Sequence, residues 1–105
     1  LVLNNYFHYM DIPTKQSPEI SDIEEEDISI GLGSRVVLYN DDWHTFEEVI
    51  SQIIKATKCS FIEARDKTFE VHTKGKAVVF SGEMSDCLKV SGILEEILLH
   101  TQIET

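Results

Sequence analysis

The sequence has 105 residues, of which 42% are apolar, so the chain has room for a single compact core. Its formal net charge of -10 argues against nucleic acid and anionic membranes as partners, because both bind through lysine and arginine. No segment approaches the roughly 18 consecutive apolar residues that span a bilayer, and the first residues lack the basic region of a signal peptide. These features predict a cytoplasmic protein.

The first third of the chain is acidic and lacks apolar periodicity. Residues 1–31 hold seven acidic residues and one lysine, and they include Pro13 and Pro18. Such a composition is typical of flexible segments. Met10 is a candidate native start, which makes residues 1–9 an extension. We therefore predict a flexible acidic tail over residues 1–33 and a folded domain over residues 34–105.

The domain opens with a β-branched run, Arg35–Tyr39, which predicts a buried strand that ends at the turn formers 40–42. The S/T-x-x-E spacing of a capping box then occurs twice, with Thr45 as its first residue and again with Ser60. It predicts two helices. The first carries apolar residues at helical spacing, and the second runs to about His72, before Gly75 ends it.

The last third of the chain predicts a strand, a helix and a strand. Lys76–Phe80 is the strand candidate, and residues 101–104 alternate as a final strand does. Ser85 or Asp86 is expected to cap the helix between them. That helix is expected to carry the apolar residues Leu88, Ile93, Leu94, Ile97 and Leu98. The order β-α-α-β-α-β predicts an α+β fold, in which three helices cover one face of a small three-stranded antiparallel sheet.

A cluster of polar residues follows the first predicted strand. It comprises Asn40, Asp41, Asp42 and His44, and His72 lies at the predicted end of the second helix. Each of these residues can also be explained without a ligand, as a residue that stabilises a turn or the end of a helix. A zinc site built from the two histidines and an aspartate is an alternative, but the compact H-E-x-x-H spacing is absent. The sequence also lacks a nucleophile motif, so we expect no metal, no cofactor and no catalysis.

Two separated motifs carry a resemblance to a known family. The run Val37–Phe46 contains Asn40-Asp41-Asp42-Trp43, and His72-Thr73-Lys74-Gly75-Lys76-Ala77 begins 32 positions after Asn40. This pair resembles the Clp protease adaptor (ClpS-like) family, in which an Asn-Asp-Asp-aromatic corner and a His-x-x-Gly-Lys/Arg-Ala segment occur in this order and near this spacing. The resemblance covers about residues 34–105.

The resemblance implies an adaptor that captures N-terminal peptides of substrate proteins and hands them to a Clp AAA+ unfoldase. The signal that this kind of adaptor recognises is called an N-degron. It consists of a free α-amine and a large hydrophobic first side chain, namely Leu, Phe, Tyr or Trp. The amine is a cation with three donors at neutral pH, so it needs acceptors around it. By resemblance, Asn40 and His72 contact the amine directly, while Asp41 and Asp42 add negative potential and backbone or water contacts. His44 belongs to the same cluster.

The resemblance also implies an apolar pocket for the first side chain, lined by Leu38, Phe46, Val49, Thr68, Val71 and Ile103. Two of these positions, those of Phe46 and Thr68, are often methionine in relatives, so the preferred first residue stays open. Glu83 and Lys89 resemble the charged positions that dock on the N-terminal domain of the unfoldase. An alternative is a scaffold domain that binds the unfoldase without reading substrates.

Overall fold

A computed structural model of the chain describes residues 1–2 and 33–105. Its elements are β1 (Ser34–Tyr39), α1 (Phe46–Thr57), α2 (Phe61–Lys74), β2 (Lys76–Gly82), α3 (Met84–Glu95) and β3 (Thr101–Glu104). β1 lies in the middle of an antiparallel sheet of order β2-β1-β3. The predicted α+β fold and its element order are confirmed. Most of the predicted tail, residues 3–32, lies outside the described residues.

The first two helices begin where the capping boxes predict. Thr45 Oγ1 accepts the backbone N–H of Glu48 at 3.1 Å, and the Glu48 carboxylate accepts the Thr45 N–H at 2.9 Å. Ser60 and Glu63 make the same reciprocal pair, with both distances at 3.1 Å. Each box satisfies donors that the first helical turn leaves without partners, which fixes the start of the helix.

The third helix begins earlier than the sequence predicts. Glu83 is its N-cap and makes no side-chain capping bond, whereas Ser85 and Asp86 lie inside the first turn. The backbone N–H of Cys87 donates to the Glu83 carbonyl oxygen at 2.9 Å, which sets the start of the helix, and the buried residues Cys87, Val90 and Leu94 then follow the helical period. The predicted C-terminal end was wrong as well. Ile97 and Leu98 follow the helix, which ends at Glu95.

The core lies between the sheet and the helices. Alternate residues of β1 and β2 face it, as expected for a sheet that is covered on one face. The buried cluster contains Val36, Leu38, Phe46, Val49, Ile50, Ile53, Ala64, Val71, Ala77, Val79, Cys87, Val90, Leu94 and Leu99, together with Leu1. Among the described residues, no helix is long and apolar enough to cross a membrane.

Candidate functional site

The polar corner forms where β1 ends against the C-terminal end of α2. The backbone N–H of Asn40 donates to the carbonyl oxygen of Gly75 at 2.9 Å. Gly75 ends α2 with a φ of 91°, a left-handed conformation that favours glycine. His72 lies three residues earlier on the same helix. The fold therefore brings the two motifs of the sequence together at one end of the sheet.

Asp41 holds the corner in its turn conformation. Its Oδ1 accepts the backbone N–H of Trp43 at 3.0 Å and that of His44 at 2.9 Å, and its Oδ2 lies 2.6 Å from His44 Nδ1. Burial disfavours the carboxylate, but the hydrogen bonds from His44 and Trp43 outweigh this effect, so the pKa of Asp41 lies below its usual value. The side chain is therefore ionised at neutral pH, and its bonds within the turn orient the backbone carbonyl groups of the corner.

The N-terminal residue of the chain occupies this corner. The ammonium group of Leu1 donates to Asn40 Oδ1 and to the backbone carbonyl oxygen of Asp41. The Leu1 side chain is 7% exposed and belongs to the buried cluster of the core. The N–H of Val2 donates to the carbonyl oxygen of His44 at 2.8 Å. The corner thus holds the amine of Leu1 beside a pocket that buries the Leu1 side chain.

Most of the predicted pocket residues lie in the buried core. Leu38, Phe46, Val49, Thr68 and Val71 are all 0% exposed, and the four apolar ones belong to the same cluster as Leu1. The Thr68 hydroxyl donates to the Ala64 carbonyl oxygen at 2.8 Å, so its polar group is satisfied within α2.

Ile103 is partly buried and packs against the cluster that contains Leu1, so its place in the pocket stays a prediction. It pairs with Val36, four residues before Asn40, whereas Thr101 pairs with Leu38 nearer the corner. Leu99, which the sequence analysis did not include, is 3% exposed and belongs to the cluster that contains Leu1. The adjacent His100 accepts the N–H of Tyr39 through its carbonyl oxygen at 3.0 Å. An apolar residue two positions before the last strand was the available signal for Leu99.

The polar cluster in the sequence suggested that the His44 side chain would face a ligand. In the structure this side chain is buried instead. It is 2% exposed. Its Nδ1 and Nε2 each lie 2.6 Å from an oxygen, of the Asp41 carboxylate and the Ile97 carbonyl respectively. The Trp43 ring lies over it, with 3.8 Å between the ring centroids. His44 therefore contributes a backbone carbonyl to the site, a role that side-chain chemistry in the sequence does not reveal.

His72 and Asp42 have different surroundings in the corner. The His72 ring meets the Phe46 ring edge to face, with centroids 5.1 Å apart. Its Nδ1 is buried and has no hydrogen-bond partner among the described residues. Asp42 is exposed. Within residues 1–2 and 33–105, no group of three His, Cys, Asp or Glu side chains is arranged to hold a metal ion.

A second surface contains the residues expected to dock a partner. Glu83 and Lys89 are exposed at the start and in the middle of α3. The same helix exposes two apolar side chains one turn apart, Met84 at 43% and Leu88 at 58%. This combination of apolar and charged groups is compatible with a protein interface.

Comparisons with known proteins identify a related sequence, a similar fold and a family. The chain is 34% identical over 68 residues to the E3 ubiquitin-protein ligase UBR1 of Drosophila melanogaster, a match that covers 64% of the chain but only 4% of that ligase. The structure of Agrobacterium tumefaciens ClpS2 bound to L-phenylalaninamide has the same fold, with a TM-score of 0.65 and 22% identity over 70% of this chain and 95% of that one. The model of the family described as ATP-dependent Clp protease adaptor protein ClpS matches residues 34–99. The chain belongs to this ClpS family, which is a family of adaptors and not of enzymes.

Proposed function

We propose that this chain is an N-degron adaptor, which binds proteins by a free N-terminal amine and a large hydrophobic first side chain and delivers them to a Clp AAA+ unfoldase. The observation that carries the proposal is the binding of Leu1, whose amine meets Asn40 and Asp41 while its side chain is buried. Membership of the ClpS family supports the adaptor role. The related ClpS2 structure contains L-phenylalaninamide, which has a free amine beside a large apolar side chain.

The chemistry of the corner suits an ammonium group. Two of its three donors meet Asn40 Oδ1 and the carbonyl oxygen of Asp41. The buried Nδ1 of His72 does not bond to the Leu1 ammonium group, so its role as an acceptor for the amine of a substrate is proposed from the family resemblance alone. The carboxylates of Asp41 and Asp42 add negative potential that favours the cation.

Peptide binding tests this function, provided that Leu1 is first removed from the site. Leu1→Asp in the full chain keeps the amine but places a charge where the pocket is apolar, so the variant leaves the site open for peptides. Fluorescent peptides that begin with Leu, Phe, Tyr, Trp, Ile or Arg are compared with a free or an acetylated amine. We expect micromolar or tighter binding of the free-amine Leu and aromatic peptides, and loss of binding on acetylation, which removes the charge and two donors.

The parent chain is the matched control for occupancy of the site. Its Leu1 is tethered, which corresponds to an effective concentration of up to about millimolar, so added peptides bind it more weakly than they bind the Leu1→Asp variant. If no free-amine peptide binds the variant, the N-degron function is wrong. Equal binding of acetylated and free peptides would have the same consequence.

Delivery to an unfoldase is proposed to use the exposed face of α3. A double charge reversal, Glu83→Lys with Lys89→Glu, is expected to weaken binding to the purified N-terminal domain of a Clp unfoldase by at least about 10-fold. The reason is that charges of the same sign would then face each other across the interface. Peptide affinity should change by less than about 2-fold, since surface charges distant from the site are screened. Unchanged unfoldase binding would exclude this face. Unfoldase binding without any peptide binding would favour the scaffold alternative.

A second candidate function differs only in the recipient of the substrate. The match to the UBR1 ubiquitin ligase favours a role for this domain as the peptide-reading unit of a ubiquitin-ligase system. Both candidates use the same amine site. Peptide binding by a chain that does not bind a Clp unfoldase N-terminal domain would favour the ligase context.

A further inference from the structure

We infer that the site reads the second residue of its substrate through the backbone N–H alone, so that it accepts varied side chains there and excludes proline. The inference rests on the proposed function and defines its substrate class more narrowly. It assigns to His44 a role in specificity that is exerted through its main chain.

The contacts of Leu1 and Val2 show a sharp difference between the first two residues. Leu1 is 7% exposed, whereas Val2 is 38% exposed. Val2 forms a parallel β-bridge with Thr45, and its N–H donates to the His44 carbonyl oxygen at 2.8 Å. The first residue is therefore recognised by its amine and side chain, and the second by its main chain.

The acceptor of this hydrogen bond is held in place from several directions. His44 donates its own N–H to Asp41 Oδ1 at 2.9 Å, and its two ring nitrogens lie 2.6 Å from oxygens of Asp41 and Ile97. On its other side, the capping box of Thr45 fixes the chain as it enters α1. The carbonyl oxygen of His44 therefore cannot turn away easily if its donor is missing.

Proline at the second position removes the donor and adds a ring in its place. The Cδ atom of proline would occupy the space in which the N–H points at the His44 oxygen, and that oxygen would lose its partner. Proline also restricts the backbone of the residue before it, which here is the first residue in the pocket. N-methylation of another residue removes the same donor without closing a ring.

The test uses the full chain with Leu1→Asp and fluorescent peptides that begin with leucine. The second residue is alanine, valine, serine, phenylalanine, N-methylalanine or proline. Matched control peptides keep alanine at the second position and carry proline at the fourth. We expect the first four peptides to agree within about 3-fold, N-methylalanine to weaken binding by about 10-fold, and proline to weaken it by about 100-fold. The control peptides should bind like the alanine peptide.

The outcomes separate this inference from the proposed function. If the proline and N-methylalanine peptides bind as tightly as the alanine peptide, recognition through the backbone N–H of the second residue is wrong. The N-degron function would still stand. If the alanine and valine peptides differ by more than about 10-fold, the second side chain is read and the inference also fails. If no leucine peptide binds, it is the proposed function that has failed.

Discussion

Asn40→Ala is expected to weaken the binding of leucine-first and phenylalanine-first peptides by about 10-fold to about 100-fold. Asn40 Oδ1 accepts a hydrogen bond from an ammonium group, and bonds of this charge-assisted kind contribute about 1.5–3 kcal/mol. Alanine leaves this donor without a protein partner, whereas the carbonyl oxygen of Asp41 still accepts another. Fluorescence anisotropy with peptides measures the change, in chains that also carry Leu1→Asp.

Two further variants show whether the oxygen of Asn40 is the important atom. Asn40→Asp keeps an acceptor at the same position and should retain most of the affinity. Asp42→Asn removes an exposed charge, so the loss should stay within about 3-fold and shrink as salt is added. The Asn40 backbone N–H, which donates to Gly75, is unchanged in every variant, so the fold should be preserved. Affinity that survives Asn40→Ala would exclude this residue as an amine acceptor.

The parts of the fold that depend on local sequence could be predicted. Thr45 and Ser60 each start a helix through contacts three residues away, and Gly75 ends one through its own backbone conformation. The start of α3 could not be derived in this way, because Glu83 makes no capping bond there. A backbone hydrogen bond from Cys87 to the Glu83 carbonyl oxygen sets that boundary, and every residue type carries such an acceptor.

The candidate site was predictable to a similar degree. Asn40 and His72 stand in motifs whose spacing is visible, and one backbone hydrogen bond between Asn40 and Gly75 joins the two regions. Ile103 packs against the cluster that contains Leu1, but its register against β1 depends on pairing that the sequence does not specify, so its role in the pocket stays a prediction. The carbonyl group of His44 was missed because every residue type carries the same backbone acceptor.

His44→Ala is expected to lower the free energy of unfolding by about 3 kcal/mol, because it removes a buried ring that contacts two oxygen atoms. The His44 side chain is 2% exposed and its partner Asp41 is 19% exposed, so water compensates only part of the loss. Alanine leaves the Asp41 carboxylate without its ring partner, leaves the Ile97 carbonyl oxygen without its bond, and opens a cavity beneath Trp43. Urea denaturation measures the difference.

His100→Ala is the matched control, because His100 is exposed and its ring meets only the edge of Tyr39 among the described aromatic contacts. Its effect should be within about 0.5 kcal/mol. Equal effects of the two substitutions would contradict a structural role for the buried ring. A domain of this size is stabilised by only about 5–10 kcal/mol, so a loss of about 3 kcal/mol is a large fraction of the total. His44 would then stabilise the fold through its side chain while it binds the substrate through its main chain.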